Sequence, residues 1–237
     1  MVRTTHISAD PFDILRHYAL GDLIGYKADE GSPTVWARDE HRGVHLLGEI
    51  RIPKSQTRYV LNPKFELRFN TAFEQVVSGC ADLGRTGYTW ITPDLITGYR
   101  ALHEMGFAHS FEAWCEGELA GGCFGVQIGG YMSVESMFYR VSHASKAAYG
   151  QTLYRLKERG FRIVDSNPVK DAARNYGEEW IPQWRFEEVL RDAMEVHATL
   201  ADHIPCLRLP AKVRRRLPLA RLARKMAIRM GKYMGRA

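Results

Sequence analysis

Three polar positions stand out by where they fall along predicted strands. Glu135 sits inside the run Ser133-Val134-Glu135-Ser136-Met137-Phe138. Side chains of a strand alternate, so Ser133, Glu135 and Met137 are expected on one face, with Val134, Ser136 and Phe138 on the other. A carboxylate there needs a partner or solvent, because an unpaired buried charge is costly. Two readings stand: an ion pair with Arg140 or Lys146, or an anionic pocket wall that receives a cationic amine. Asp165 closes the short run Phe161-Arg162-Ile163-Val164-Asp165. Strand ends are where α/β sites place polar groups, although a cap for the following turn is the alternative. Asn167 lies two residues further on, stiffened by Pro168. Trp90 and Tyr99 mark the start and second turn of a helical pattern. They are either core aromatics or a surface on which nucleotide bases stack.

The elements that must position these residues follow from punctuation and periodicity. Helices are predicted over residues 10–20, 71–83 and 92–105. Asp10 and Thr92 are the caps, Pro11 and Pro93 sit in the first turn, and Gly106 closes the third helix. A strand over 44–52 is broken by Pro53, and 54–58 forms a polar turn or short helix. Residues 65–69 alternate as a strand. Strands 110–115, 119–128 and 131–137 are joined by Glu116-Gly117 and Gly129-Gly130 turns. A helix starting at Ser142 or Ser145 runs to Arg159 and stops at Gly160. Strand 161–165, a helical turn at 172–176 and a helix over 185–198 complete the order. The pattern is α+β around one mixed sheet, and no internal repeat is present.

Composition narrows the class. The chain has 237 residues, 45% hydrophobic and 25% charged, which suits one large domain, or a main domain with a small partner. No apolar run is long enough to span a bilayer, and the N-terminus lacks a secretory signal. A cytoplasmic location is therefore expected. The four cysteines, Cys80, Cys115, Cys123 and Cys206, show no C-x-x-C spacing and read as reduced thiols. No metal site is expected. Walker, H-E-x-x-H and nucleophile-elbow motifs are absent, as is a clear pyrophosphate loop for acetyl-CoA.

The charge is unevenly placed. Residues 211–237 hold ten Lys or Arg and no acid, which leaves 23 basic against 27 acidic residues in the rest of the chain. In this tail Leu219, Leu222, Ala223, Met226 and Met230 form an apolar stripe. Arg214, Arg215, Arg216, Arg221, Arg224 and Lys225 supply charge. Three readings are open: a solvated basic end, an arm on a tRNA backbone, or an amphipathic helix on an anionic membrane.

Several segments together resemble the leucyl/phenylalanyl-tRNA–protein transferase family. They are Thr89-Trp90-Ile91-Thr92, the run Gly121-Gly122-Cys123-Phe124-Gly125-Val126, Glu135-Ser136-Met137-Phe138 followed by Arg140 and Ala144-Ser145-Lys146, and the strand ending at Asp165. The resemblance covers roughly residues 10–190. It implies a GNAT-like acyltransferase sheet over residues 63–205, a reduced N-terminal lobe over 1–62, and the basic tail over 206–237. It implies an aminoacyltransferase that moves leucine or phenylalanine from aminoacyl-tRNA to the N-terminal amine of an acceptor protein beginning with Arg or Lys. The product would be marked for regulated degradation, and no cofactor would be required. By the same resemblance, Asp165 stands at the reaction centre and Asn167 supplies the amide that orients the amine. Glu135 belongs to the site, with Ser133 beside it. Trp90 stands toward the adenosine end, Tyr99 and Trp36 are further candidate substrate-binding residues, and Cys123, Met132 and Tyr149 wall a pocket for the donor side chain.

The chain also departs from the family pattern. The family carries Gln where Asn167 stands, which sets the amide back by about 1.5 Å. Gly25 replaces a tryptophan, and only Trp36 remains of a tryptophan pair. These departures keep two further readings open. One is a paralogue that modifies a small molecule, peptide or aminolipid; the other is a catalytically silent binding protein.

Overall fold

Two tight turns build the centre of the sheet. Glu116 and Gly117 both take left-handed backbone, at φ 54° and 82°, which is the geometry a two-residue hairpin requires. They join β5 (Ala108–Cys115) to β6 (Glu118–Ile128). Gly129, at φ 59°, and Gly130 join β6 to β7 (Tyr131–Tyr139). The three strands are antiparallel. In this computed structural model, residues 7–25, 35–50, 52–82, 89–166 and 171–200 are described.

From β7 the chain crosses through α5 (Ala144–Glu158) into β8 (Ile163–Asp165), which pairs parallel to β7. A parallel neighbour needs such a crossover. Among the described residues the sheet has seven strands. β4 (Glu66–Phe69) flanks β5, and β3 (His41–Leu46) and then β9 (Glu179–Pro182) lie beyond β8. A separate ribbon pairs β1 (Leu23–Gly25) with β2 (Val35–Ala37). The architecture is the expected α+β, GNAT-like mixed sheet with flanking helices. β3, which falls within the first 62 residues, is by pairing a member of the main sheet.

Consecutive strand residues divide between two cores, as pleating demands. Phe124, Tyr131 and Ile163 enter one core. Their neighbours Cys123, Met132 and Val164 enter the other. The first core is covered by α1 (Pro11–Ala19), α3 (Phe73–Ala81), α4 (Pro93–Glu104) and α7 (Gln183–Met194). The second is covered by α5, with Val60 at the end of α2 (Lys54–Val60). The short helix α6 (Asp171–Arg174) precedes β9. Asp10 and Thr92 cap α1 and α4 as expected, accepting from Phe12 and Leu95 backbone N–H groups.

Three local expectations are corrected. The strand predicted over 44–52 ends at Leu46, where Gly48 admits a turn closed by Glu49 N–H on the Leu46 carbonyl. The helix expected from Ser142 or Ser145 begins at Ala144, after His143 in left-handed backbone (φ 72°) without a side-chain cap. Strict alternation in β7 also fails. The register with β6 slips between Phe124 and Gly125, so Glu135 is an extra residue, a β-bulge. Past it, Met137 packs with the Val134 cluster and Phe138 with the Tyr131 cluster. Gly125 permits the bulge: a Cβ there would stand 2.2 Å from the Ser133 carbonyl oxygen.

Candidate active site

Parallel pairing sets Ser133 of β7 beside Asp165 of β8. The two carboxylates named from the sequence thus arise on neighbouring strands, two residues apart in register. Both are buried, Asp165 at 0% exposure and Glu135 at 4%. Asp165 is gripped by Arg42 of β3, itself 1% exposed. Arg42 Nη2 donates to Oδ2 at 2.7 Å, and Nε reaches both oxygens at 3.2 Å. Tyr131 donates its hydroxyl to Oδ2 at 3.1 Å. Burial opposes the Arg42 charge, yet the Asp165 carboxylate more than compensates and raises the guanidinium above its already high range.

Glu135 is held from the other side. Ser133 donates its hydroxyl to it, and the Tyr18 hydroxyl of α1 bonds to it as well. Tyr18 in turn shares a 2.8 Å hydrogen bond with Tyr99 of α4. Burial, with the Glu135 charge next, pushes both phenols well above their ordinary range, so both remain protonated donors. The cations suggested as ion-pair partners are engaged elsewhere. Arg140 donates to the Leu119 carbonyl and lies over Phe138, while Lys146 lies over Tyr59.

The remaining expected residues divide between the faces of the sheet. Tyr99, with Trp36, stands on the α1 and α4 side. Trp36 is 1% exposed, stacked on His17 at 4.5 Å and edge-on to Tyr18. Trp90 is half-buried against the same core, just before the cap of α4. Cys123, Met132 and Tyr149 lie together on the opposite, α5 side, all fully buried. The structure therefore joins Glu135, Ser133, Tyr99 and Asp165 in one polar cluster and sets the Cys123 group behind the sheet. Asn167 and tail residues Arg214, Arg215, Arg216, Arg221, Arg224 and Lys225 lie outside the described residues.

Sequence reasoning missed Arg42, Tyr18, Tyr131 and His45. His45 Nε2 stands 2.8 Å from the Tyr149 hydroxyl. Burial lowers its pKa to about 4, and burial likewise lowers that of His109 to about 3. Both are neutral in the folded protein near neutral pH. Below the ordinary histidine value of about 6.5, the unfolded chain binds protons that the folded chain refuses, so stability falls as pH drops from about 6.5 toward 4. Each group contributes about 1.4 kcal/mol per pH unit in that window. Urea unfolding at pH 7.5 and 5.5 is expected to differ by about 3 kcal/mol, with His109→Asn removing roughly half the difference.

Among the described residues, no group of three or more His, Cys, Asp or Glu could hold a metal ion. No described helix is long and apolar enough to cross a membrane. On the described surface, Arg58 and Lys146 flank the Tyr59 ring at 4.7 and 5.0 Å.

An antiparallel meander that passes through a helix into a parallel strand is the GNAT-like framework expected from the sequence. Within that class, the chain belongs to the leucyl/phenylalanyl-tRNA protein transferase family, whose model matches residues 44–191. The family is one of aminoacyltransferases. The leucyl/phenylalanyl-tRNA–protein transferase of Myxococcus xanthus is 36% identical over 187 residues, covering 78% of this chain and 79% of that protein. That of Synechococcus sp. is 36% identical over 183 residues, covering 77% and 94%. Among solved structures, FemX aligns at a TM-score of 0.48 with 13% identity, over 72% of this chain and 66% of its own.

Proposed function

We propose that the protein takes a leucine- or phenylalanine-like amino acid from aminoacyl-tRNA and joins it to the N-terminal amine of an acceptor protein that begins with Arg or Lys. The observation that carries this reading is the pairing of Ser133 with Asp165, which gathers Glu135 and Asp165 into one buried polar cluster beside the β7–β8 junction. The amine nitrogen attacks the ester carbonyl, a C–N bond forms, and the bond to the ribose oxygen breaks. Because the ester is already activated, the enzyme's task is orientation and proton management.

In this reading Glu135 holds the cationic first side chain of the acceptor. Asp165 and Asn167 orient its amine. Trp90 meets the terminal adenosine, near Tyr99 and Trp36. Cys123, Met132 and Tyr149 line the donor side-chain pocket, which requires a path past the sheet. Arg58 and Lys146 offer phosphate contacts in addition to the tail cations. Because β3 pairs within the main sheet, the N-terminal lobe is shorter than residues 1–62; the transferase domain takes in β3 and runs to 205, and 206–237 act as the tail. The reaction runs in the cytoplasm and needs no cofactor.

The test is a mixed pool of radiolabelled aminoacyl-tRNAs offered with peptides led by Lys, Arg or Ala, and separately with aminolipid vesicles. Leucine or phenylalanine label is expected on the Lys- and Arg-led peptides. Label only on the lipid amine would replace this reading with the lipid-modifying one. No movement of any label would leave a silent binding protein.

A further inference from the structure

We infer that the outer edge of the sheet at β9, with Trp180 and Trp184, is a docking surface for the acceptor polypeptide, which lies along it in extended form beyond its first residue and presents basic side chains there. This rests on the proposed transfer to a protein N-terminus.

Exposure singles out the surface. Of the five tryptophans, Trp36, Trp90 and Trp114 pack against the first core, whereas Trp180 and Trp184 are 49% and 52% exposed. The two stand on either side of Pro182, where β9 passes into α7. Ile181 packs against the first core, so alternation turns Trp180 to the other face of the strand. β9 closes the strand order, and among the described residues β3 is its one sheet neighbour. A strand edge of this kind takes up an extended peptide through main-chain hydrogen bonds, and the side chains along it supply selectivity.

Position names the occupant. Val44 faces Asp165 on one side and Glu179 on the other. Gly43, whose carbonyl accepts from Ser166, faces Trp180. Two strand spacings, about 10 Å, separate Asp165 from Glu179. An acceptor whose amine stands at Asp165 advances about 3.3 Å per residue, so its third to fifth residues reach the edge. Charge points the same way. Asp39, Glu40 and Glu179 are exposed. The Gln183 backbone N–H donates to the Glu40 carbonyl, which brings the Asp39-Glu40 corner to the start of α7. Of the cations there, Arg185 is paired with Glu188, and Arg38 with Asp22 and Glu187; His41 is exposed on β3. Acids beside tryptophan rings attract Lys and Arg side chains, which also gain from the ring faces. The same acids repel nucleic-acid phosphates.

The experiment is steady-state transfer by the full chain to three acceptors. One is a Lys-Ala dipeptide amide, which spans at most about 7 Å and ends short of β9. The others are Lys-led decapeptides carrying Arg or Glu at positions three to five. The wild type is expected to favour the Arg decapeptide about tenfold in kcat/KM. Trp180→Ala with Trp184→Ala should raise KM for that decapeptide about tenfold and leave the dipeptide unchanged. Glu179→Lys with Asp39→Lys should abolish the preference between the decapeptides, which keeps the test open if the tryptophan variant fails to fold. Equal use of the two decapeptides by the wild type overturns the proposal. So does a tryptophan variant that leaves the Arg decapeptide untouched or weakens the dipeptide as much. Weaker binding of aminoacyl-tRNA by the tryptophan variant would give the edge to the donor and also overturn it. Transfer to none of the three acceptors by the wild type would remove the proposed function itself, whereas transfer without discrimination removes this inference alone.

Discussion

Truncating Glu112 to Ala is expected to lower the melting temperature by about 10 °C. Glu112 of β5 is 1% exposed. It accepts from Thr71 N–H and Ala72 N–H at 2.9 Å, from the Ser110 hydroxyl at 2.8 Å, from Trp114 Nε1 at 3.0 Å, and from the Thr71 hydroxyl. Ala72 is the N-cap of α3 and offers no side-chain cap of its own. Glu112 supplies that cap from a strand, with its negative charge at the positive end of the helix. Alanine would strand five donors in the interior, at roughly 1–3 kcal/mol each before relaxation. A net loss of about 4 kcal/mol, near the top of the range for point substitutions, follows once water enters the site. Glu112→Gln keeps the shape and accepts at one oxygen, so it should lose about half as much. Calorimetry of the three proteins checks this. A Glu112→Ala melting point within 2 °C of wild type would mean that α3 is held by its apolar face alone.

Glu112 also shows where the sequence becomes hard to read. A charge between Phe111 and Ala113, inside an apolar run, signals a buried partner. Three of its five donors, however, lie about forty residues upstream, and no local pattern names them. Arg42 is harder still. It stands between His41 and Gly43 in a short strand that looks exposed, and its partner is 123 residues away. The elements set by local chemistry were legible: the Glu116-Gly117 hairpin, the Thr92-Pro93 helix start, and the three central strands. β9 was missed because Glu179-Trp180-Ile181-Pro182 is too short to show a period, and its pairing with β3 depends on distant residues. The bulge at Glu135 defeats parity, which assumes an unbroken alternation. Its trace in the sequence is Gly125 on the facing strand, where only a residue without a side chain permits the ladder to slip. That slip leaves Glu135 beside Ser133 and carries Met137 to the opposite face.

The position of Glu135 leads to the largest expected effect on activity. Glu135→Gln should reduce kcat/KM for a Lys-led acceptor by roughly 10²–10³-fold, because removing one member of a buried charge pair costs about 3–5 kcal/mol. The substitution keeps the volume, and the Ser133 and Tyr18 hydroxyls can rotate to meet an amide oxygen, so folding should change little. The loss ought to appear mainly in KM, since the acceptor's charged side chain is bound alike before and during reaction. Tyr18→Phe removes one donor to the carboxylate and should produce a smaller change in the same direction, about tenfold, through the hydrogen bond to a charged group. The discriminating arm is an acceptor led by a neutral residue. If Glu135 reads the acceptor's charge, its already slow reaction is untouched by Glu135→Gln, and the preference for Lys over Ala collapses. An equal loss for both acceptors would place the carboxylate with the donor or the fold, because only a group facing the acceptor cation can change the ratio of the two rates.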